Sequence, residues 1–384
     1  MNQTIPKLTP VPSPKVPFVD LKRQQDMAMA DIRKAFDRIT NACSYIMGAE
    51  VTKFETEWAD YCGAKYSVGC ANGTDALVLM LLALGIEQGD EVITVSHTFF
   101  ATVEAICSAG ATPVLVDVLP TTALLDPAKL EAAITEKTKA VLTVHLYGQP
   151  VDFDPILAVC NKHNIPCLSD AAQAHGAKYN GKPISSYGLA TSFSFFPGKN
   201  LGALGDAGAI TTNDEGYAQA IRCIRDHGRN GKKYDHDIFG WNMRIDAMQA
   251  AFISAKLKYL NGWNNDRKAV AEFYTPRLKA LGGLRLIETA ENVRSANHLY
   301  VICHENRDSF KHELENRGLG IGIHYPHGVH RQPAWQTNYS PMALPETEYI
   351  ADHCLSLPIF GAMTEDEAEI VVNSLAQSLD PKNK

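Results

Sequence analysis

Apolar residues recur along this chain with two periods, and the alternation of those periods predicts its architecture. Met27, Ile32, Ala35, Phe36 and Ile39 stand at helical spacing over residues 26–39, and Phe54 and Trp58, four apart, mark a second helix over residues 51–61. Short apolar runs then take turns with amphipathic ones. Residues 66–70, 91–95, 113–117, 139–146, 165–170 and 191–196 read as strands, while 73–84, 99–109, 126–134 and 154–163 read as helices. Asp126 before Pro127, and Asp154 before Pro155, each offer a capping carboxylate followed by a proline suited to a first helical turn. Strands alternating with helices imply a mostly parallel sheet covered on both faces.

A long amphipathic stretch over residues 245–260 predicts the link to a second unit. Beyond it the rhythm loosens into a strand at 299–303, a helix at 309–317, a strand at 320–324 and a last helix ending near 379. The capping box Thr364-x-x-Glu367 opens that helix. The pattern divides the chain into a large domain over 17–260, N-terminal helices included, and a smaller C-terminal α/β domain over 261–384. Residues 1–16, with Pro6, Pro10, Pro12 and Pro14, read as a flexible arm and not a leader peptide, because they lack an apolar segment.

Composition narrows the class. A length of 384 residues exceeds what one core usually organises, in keeping with two domains. A net charge of -7 leaves no basic surplus for nucleic acid, and no apolar run is long enough to span a membrane. The 9 cysteines are scattered, without a C-x-x-C pair, which suits free thiols in a reducing compartment and a cytoplasmic protein.

In open parallel sheets, ligands bind beyond the carboxyl ends of the strands. After residues 66–70 come Gly73 and Thr74 at a helix start, which is either an anion cradle or an ordinary capped helix. Phe99 follows the next strand, for stacking on a flat ring or for core packing. Asp170 ends a buried strand, where a carboxylate needs a partner: a cationic ring nitrogen or the next turn. Residues 192–210, SFSFFPGKNLGALGDAGAI, hold Lys199 in a glycine run among Phe193, Phe195 and Phe196. Desolvation there would lower its pKa toward a nucleophilic amine. Donors for a phosphate, a stacking ring, a carboxylate and an amine jointly match the needs of pyridoxal phosphate (PLP).

The phrases ANGTDAL, DEVITVSHTFFAT, SDAAQAHGA, GWNMRIDAMQAA and HYPHGVHRQPAW, with the Lys199 segment itself, resemble the DegT/StrS group of sugar aminotransferases. The likeness runs from PFVDLKRQ at Pro17 to the C-terminal helix. It implies the three-layer PLP-transferase type I fold, with a large mostly parallel-sheet domain and a smaller C-terminal α/β domain. It implies that Lys199 is the Schiff-base lysine and proton shuttle, that Asp170 pairs with the pyridine nitrogen, and that Gln173 bonds the ring hydroxyl. Phe99 would stack on the ring, and Gly73, Thr74 and Ser194 would hold the phosphate. Asn242 would reach the cofactor of the partner in a homodimer with shared active sites. His324, Tyr325 and His330 would border a sugar-nucleotide pocket.

The implied reaction moves an amino group from L-glutamate, through pyridoxamine phosphate, to a nucleotide-linked keto sugar at C-3, for glycan or antibiotic biosynthesis. C-4 amination is the alternative. Related dehydratases carry histidine where Lys199 stands, and a non-catalytic PLP-binding regulator would show an attached DNA-binding module. Ala71 replaces a frequent serine, and His327-Gly328 replaces a stretch that usually holds a proline. Two features stay open. His175 is either near the ring or simply packed, and Arg225, His227, Arg229, Lys232 and Lys233 form either a solvated face or a diphosphate-binding rim. The density of His324, His327 and His330 does not by itself define a metal site, and none is expected.

Overall fold

The computed structural model describes residues 14–231 and 234–380. Its centre is a seven-stranded sheet. In chain order the strands are β1 (Tyr66–Cys70), β2 (Glu91–Val95), β3 (Thr112–Val116), β4 (Thr138–Val144), β5 (Cys167–Asp170), β6 (Ala190–Ser194) and β7 (Gly208–Thr212). Their spatial order is β1-β7-β6-β5-β4-β2-β3. The pairs from β6 across to β3 are parallel, whereas β7 lies antiparallel between β1 and β6.

The strands are apolar on both faces because both faces are covered. Ile93, Val95, Val141 and Phe193 join a core with Phe54, Trp58 and Trp263. Their neighbours Val92, Ala140, Leu142, Leu168 and Ile210 join a second core with Leu77, Leu79 and Leu81 of the helix Gly73–Ala83. Alternate residues thus face opposite layers, the helix–sheet–helix arrangement expected of parallel strands.

A third core lies in the C-terminal part. Ile302, Leu355 and Leu357 of a small antiparallel sheet pack against Tyr274, Leu278, Phe310 and Val371. The capping box forms as predicted: Thr364 and Glu367 bond each other's backbone at the start of Glu365–Leu379. Most of the proline-rich arm lies outside the described residues. Its end is fixed, however. Val16 is fully buried in the third core, donates to Gly318 O at 3.2 Å, and accepts from Gly320 N at 2.8 Å.

Four sequence expectations are corrected. The stretch 245–260 is two helices, Ala247–Leu257 and the long Leu260–Leu281, because the chain breaks at Lys258-Tyr259. Asp154 is not a cap. The helix is Phe153–His163, with Asp152 at its N-cap, because Phe153 packs inward and draws the first turn back. Residues 320–324 form no strand, since only Gly322 bridges, to Ser356, and the segment then turns toward the large sheet. Arg225 belongs to no solvated face or rim. It is buried, paired with Glu55 and bonded to Gly69 O. Lys232 and Lys233 lie outside the described residues.

Candidate active site

The sheet brings Lys199, Asp170 and Ser194 together by register. Asp170 pairs with Ser192 across β5 and β6, and β6 ends two residues later at Ser194. The chain then turns sharply. Lys199 N donates to Phe196 O at 2.8 Å, and a Cβ at Gly202 would stand 2.3 Å from Pro197 O, so only glycine permits this return. Asn200 fixes the far side of the turn. It is buried, donates to Asn264 Oδ1 at 2.9 Å and Ala296 O at 2.8 Å, and its Oδ1 accepts from His298 Nδ1 at 2.9 Å.

Burial lowers the Lys199 pKa to about 8, while the Asp170 carboxylate acts to raise it. The neutral, nucleophilic amine is therefore accessible near neutral pH. Asp170 is raised by its own burial. Its Oδ1 accepts from Ala172 N at 3.1 Å and its Oδ2 from Thr102 Oγ1 at 3.0 Å.

A chain of polar contacts forms the adjoining wall. Gln173 Oε1 accepts from Tyr147 N at 2.7 Å, and its Nε2 donates to Tyr325 OH at 3.1 Å. The Tyr147 hydroxyl donates to His324 O at 2.7 Å and accepts from His97 Nε2 at 2.6 Å. Tyr147 holds φ 62, an unusual left-handed conformation for a bulky residue, and its contacts on both sides keep it there. His97 is neutral, its pKa pushed down to about 4 by burial. Phe99 is 57% exposed, with its ring 5.7 Å from that of Tyr325.

The remaining strand end supplies an anion cradle. Asn72 caps the helix Gly73–Ala83 by accepting from Asp75 N at 2.8 Å, which leaves the first-turn N–H groups of Gly73 and Thr74 outside the helical ladder. A Cβ on Gly73 would lie 2.6 Å from Ser194 Cβ, so glycine lets the helix start close on the serine hydroxyl.

Some candidates stand elsewhere. Asn242 is exposed and bridges Asp226, apart from this cluster within one chain. His330 is buried with both ring nitrogens engaged, by Ser96 Oγ at 2.7 Å and Glu348 Oε1 at 3.1 Å. It ties the loop to the end of β2 and presents no free nitrogen to a ligand. His175 is packed among Trp58, Phe193 and Phe195. His324 stacks on Phe18, and its Nδ1 meets Ser356 Oγ at 2.8 Å. Among the described residues no three His, Cys, Asp or Glu side chains gather as for a metal. Sequence reasoning passed over Thr102, Tyr147 and His298. Thr102 was the most accessible of these, one helical turn after Thr98 and Phe99.

The donor set fits PLP. A buried carboxylate bonded by two neutral donors, Ala172 N and Thr102 Oγ1, suits a protonated ring nitrogen, a helix start closed on a serine suits a phosphate, and a depressed lysine suits an aldehyde.

Comparison with known proteins agrees. The model of the DegT/DnrJ/EryC1/StrS aminotransferase family matches residues 26–376. The chain is 40% identical over 366 residues to dTDP-3-amino-3,4,6-trideoxy-alpha-D-glucose transaminase of Streptomyces venezuelae, covering 95% of this chain and 96% of that one. It is 41% identical over 361 residues to UDP-2-acetamido-2-deoxy-3-oxo-D-glucuronate aminotransferase of Pseudomonas aeruginosa, covering 94% and 99%. The structure of S. venezuelae DesV in complex with a ketimine intermediate matches with a TM-score of 0.94 at 40% identity, over 96% of this chain and 99% of that one. The chain belongs to the DegT/DnrJ/EryC1/StrS aminotransferase family and is a PLP-dependent transaminase.

Proposed function

We propose that the protein transfers an amino group from L-glutamate to C-3 of a nucleotide-linked keto sugar in the cytoplasm. The observation that carries the transfer chemistry is the depressed Lys199 amine set beside the buried Asp170 carboxylate. Similarity to enzymes named for 3-amino and 3-oxo sugars supports the carbon chosen.

PLP, when bound, supplies a carbonyl to carry the amino group and a ring to absorb negative charge. Lys199 binds it through Nζ and, once free, moves a proton to and from the reacting carbon. Asp170 holds a proton at the ring nitrogen, and Thr102 fixes the carboxylate that does so. Gln173 orients the ring through its remaining amide hydrogen, Phe99 covers one face, and Gly73, Thr74 and Ser194 hold the phosphate. His324 and Tyr325 line the sugar side, and His330 positions their loop through Ser96.

Asn242 completes the phosphate site of a second copy. Ile238, Phe239 and Trp241, at least half exposed beside it, supply an apolar surface for that copy. Mixing Lys199→Ala with Asn242→Ala protein then restores up to about one quarter of wild-type activity, because one site in each mixed dimer is intact. Absence of any recovery removes the shared-site reading. For the chemistry, Lys199→Ala lowers turnover by at least about 10³-fold and abolishes the cofactor's lysine-bound absorbance. Wild-type turnover in that variant rules the mechanism out. A panel of nucleotide-linked 3-keto and 4-keto sugars decides the carbon.

A further inference from the structure

Three cations are buried among the described residues: Arg225, Arg267 and Lys256. Arg225 is paired with Glu55, and Arg267 spreads its donors over the carbonyls of Asn297, His298 and Ile359. Lys256 is different. It is 7% exposed, bonds one carbonyl, Gly202 O, and lies 6.0 Å from the centre of the Trp263 ring, with no carboxylate within 4 Å among the described residues. An ammonium offers three donors, and a buried charge without a counter-ion is costly. Its pKa falls to about 8 through burial alone.

Lys256 faces a cavity of about 340 Å³ that Lys199 also lines, together with Leu21, Gln24, Pro197 and Trp263. Gln24 Nε2 and Trp263 Nε1 are buried without hydrogen-bond partners. Those two donors have no accessible surface and do not open into the cavity, whose lining holds no acidic side chain among the described residues. Neither His324 nor Tyr325 reaches it, and its size is at the small end of the roughly 300–1,000 Å³ typical of ligand pockets. That suits an amino acid better than a nucleotide-linked sugar.

We propose that this cavity receives a carboxylate of the amino-acid donor, with Lys256 as its counter-ion. The inference rests on the transaminase reading above. It makes Lys256 a donor-binding residue whose charge the substrate completes.

The test is calorimetric titration of the holoenzyme with glutarate, an unreactive dicarboxylate, alongside the rate at which L-glutamate bleaches the cofactor's visible absorbance. Lys256→Met weakens glutarate by about tenfold or more and raises the half-saturating glutamate concentration similarly, as loss of a charge-assisted bond predicts. Lys256→Arg stays within about threefold of wild type, because the charge remains. KM for the keto sugar is unchanged in both. Lys256→Gln serves the same comparison if the Met variant does not fold. Unchanged glutarate affinity in the uncharged variant overturns the proposal. So does equal loss in the Arg and Met variants, which reduces Lys256 to a brace for Gly202, or a loss confined to the sugar nucleotide. Wild-type protein that never reacts with glutamate instead refutes the choice of donor, which separates the two failures.

Discussion

The two walls of the active site are built by different means. The strand-end wall, carrying Asp170, Ser194 and Lys199, inherits its geometry from backbone pairing between β5 and β6 and from turns where glycine is the residue that fits. The opposite wall, carrying His97, Tyr147, His324 and Tyr325, is assembled from side-chain contacts between parts of the chain nearly two hundred residues apart, such as Tyr147 OH to His324 O, a separation of 177. The first wall is rigid because it belongs to the sheet. The second is held by single long-range hydrogen bonds and can change by single substitutions.

The contrast breaks most visibly at Asp170. Asp170→Asn removes the carboxylate from the rigid wall, and kcat falls by about 10²–10⁴-fold, the range for a positioned proton partner. A change under tenfold would show that the carboxylate only caps Ala172. Gly73→Ala comes next. Its new Cβ at 2.6 Å from Ser194 Cβ forces the helix start away, at a cost of about 1–3 kcal/mol, and cofactor retention on dialysis drops accordingly.

On the softer wall, Tyr147→Phe deletes the bonds to His97 and His324 O. It raises KM for the sugar by about thirtyfold, from about 1 kcal/mol for each of the two lost bonds, and leaves the cofactor spectrum unchanged. A spectral shift would show that the walls are not separable.

Effects of pH are smaller and differ between the walls. Lys199 is depressed to about 8, so the apoprotein captures added PLP faster as pH rises through about 8. The Asp170 charge raises that value, so Asp170→Asn moves the midpoint downward. On the other wall His97 and His324 are each lowered to about 4 by burial. The unfolded chain protonates these rings near 6.5 and the folded chain does not. Stability is therefore complete above 6.5 and is lost toward pH 4, by about 1.4 kcal/mol per pH unit for each ring. Urea midpoints at pH 7 and pH 5 measure that loss together with the like contributions of His145, His175 and His298, which burial lowers in the same direction.

The rigid wall was legible in the sequence because its rule is topological. Strand ends carry the chemistry, and Asp170 and Lys199 each follow an apolar run of strand length. β7 escaped notice because it begins at Gly208 and returns antiparallel, breaking the β–α rhythm that revealed its neighbours. The second wall was poorly legible. Residues 320–324 alternate like a strand, yet they are held by a single bridge and by long-range side-chain contacts that no local pattern encodes. Lys256 was hidden for a similar reason. Lys258, two residues on at the break after the helix, has a side chain 60% exposed, and no local pattern separates that surface lysine from the buried one.

Tyr147 joins two distant parts of the chain: its amide holds Gln173, just after β5, and its hydroxyl holds the carbonyl of His324. Thermodynamic linkage makes such a joint work in both directions. A change at the His324 loop and a change at Gln173 would therefore each act on the same residue. One residue in a left-handed conformation thus joins the turn after β5 to the C-terminal loop.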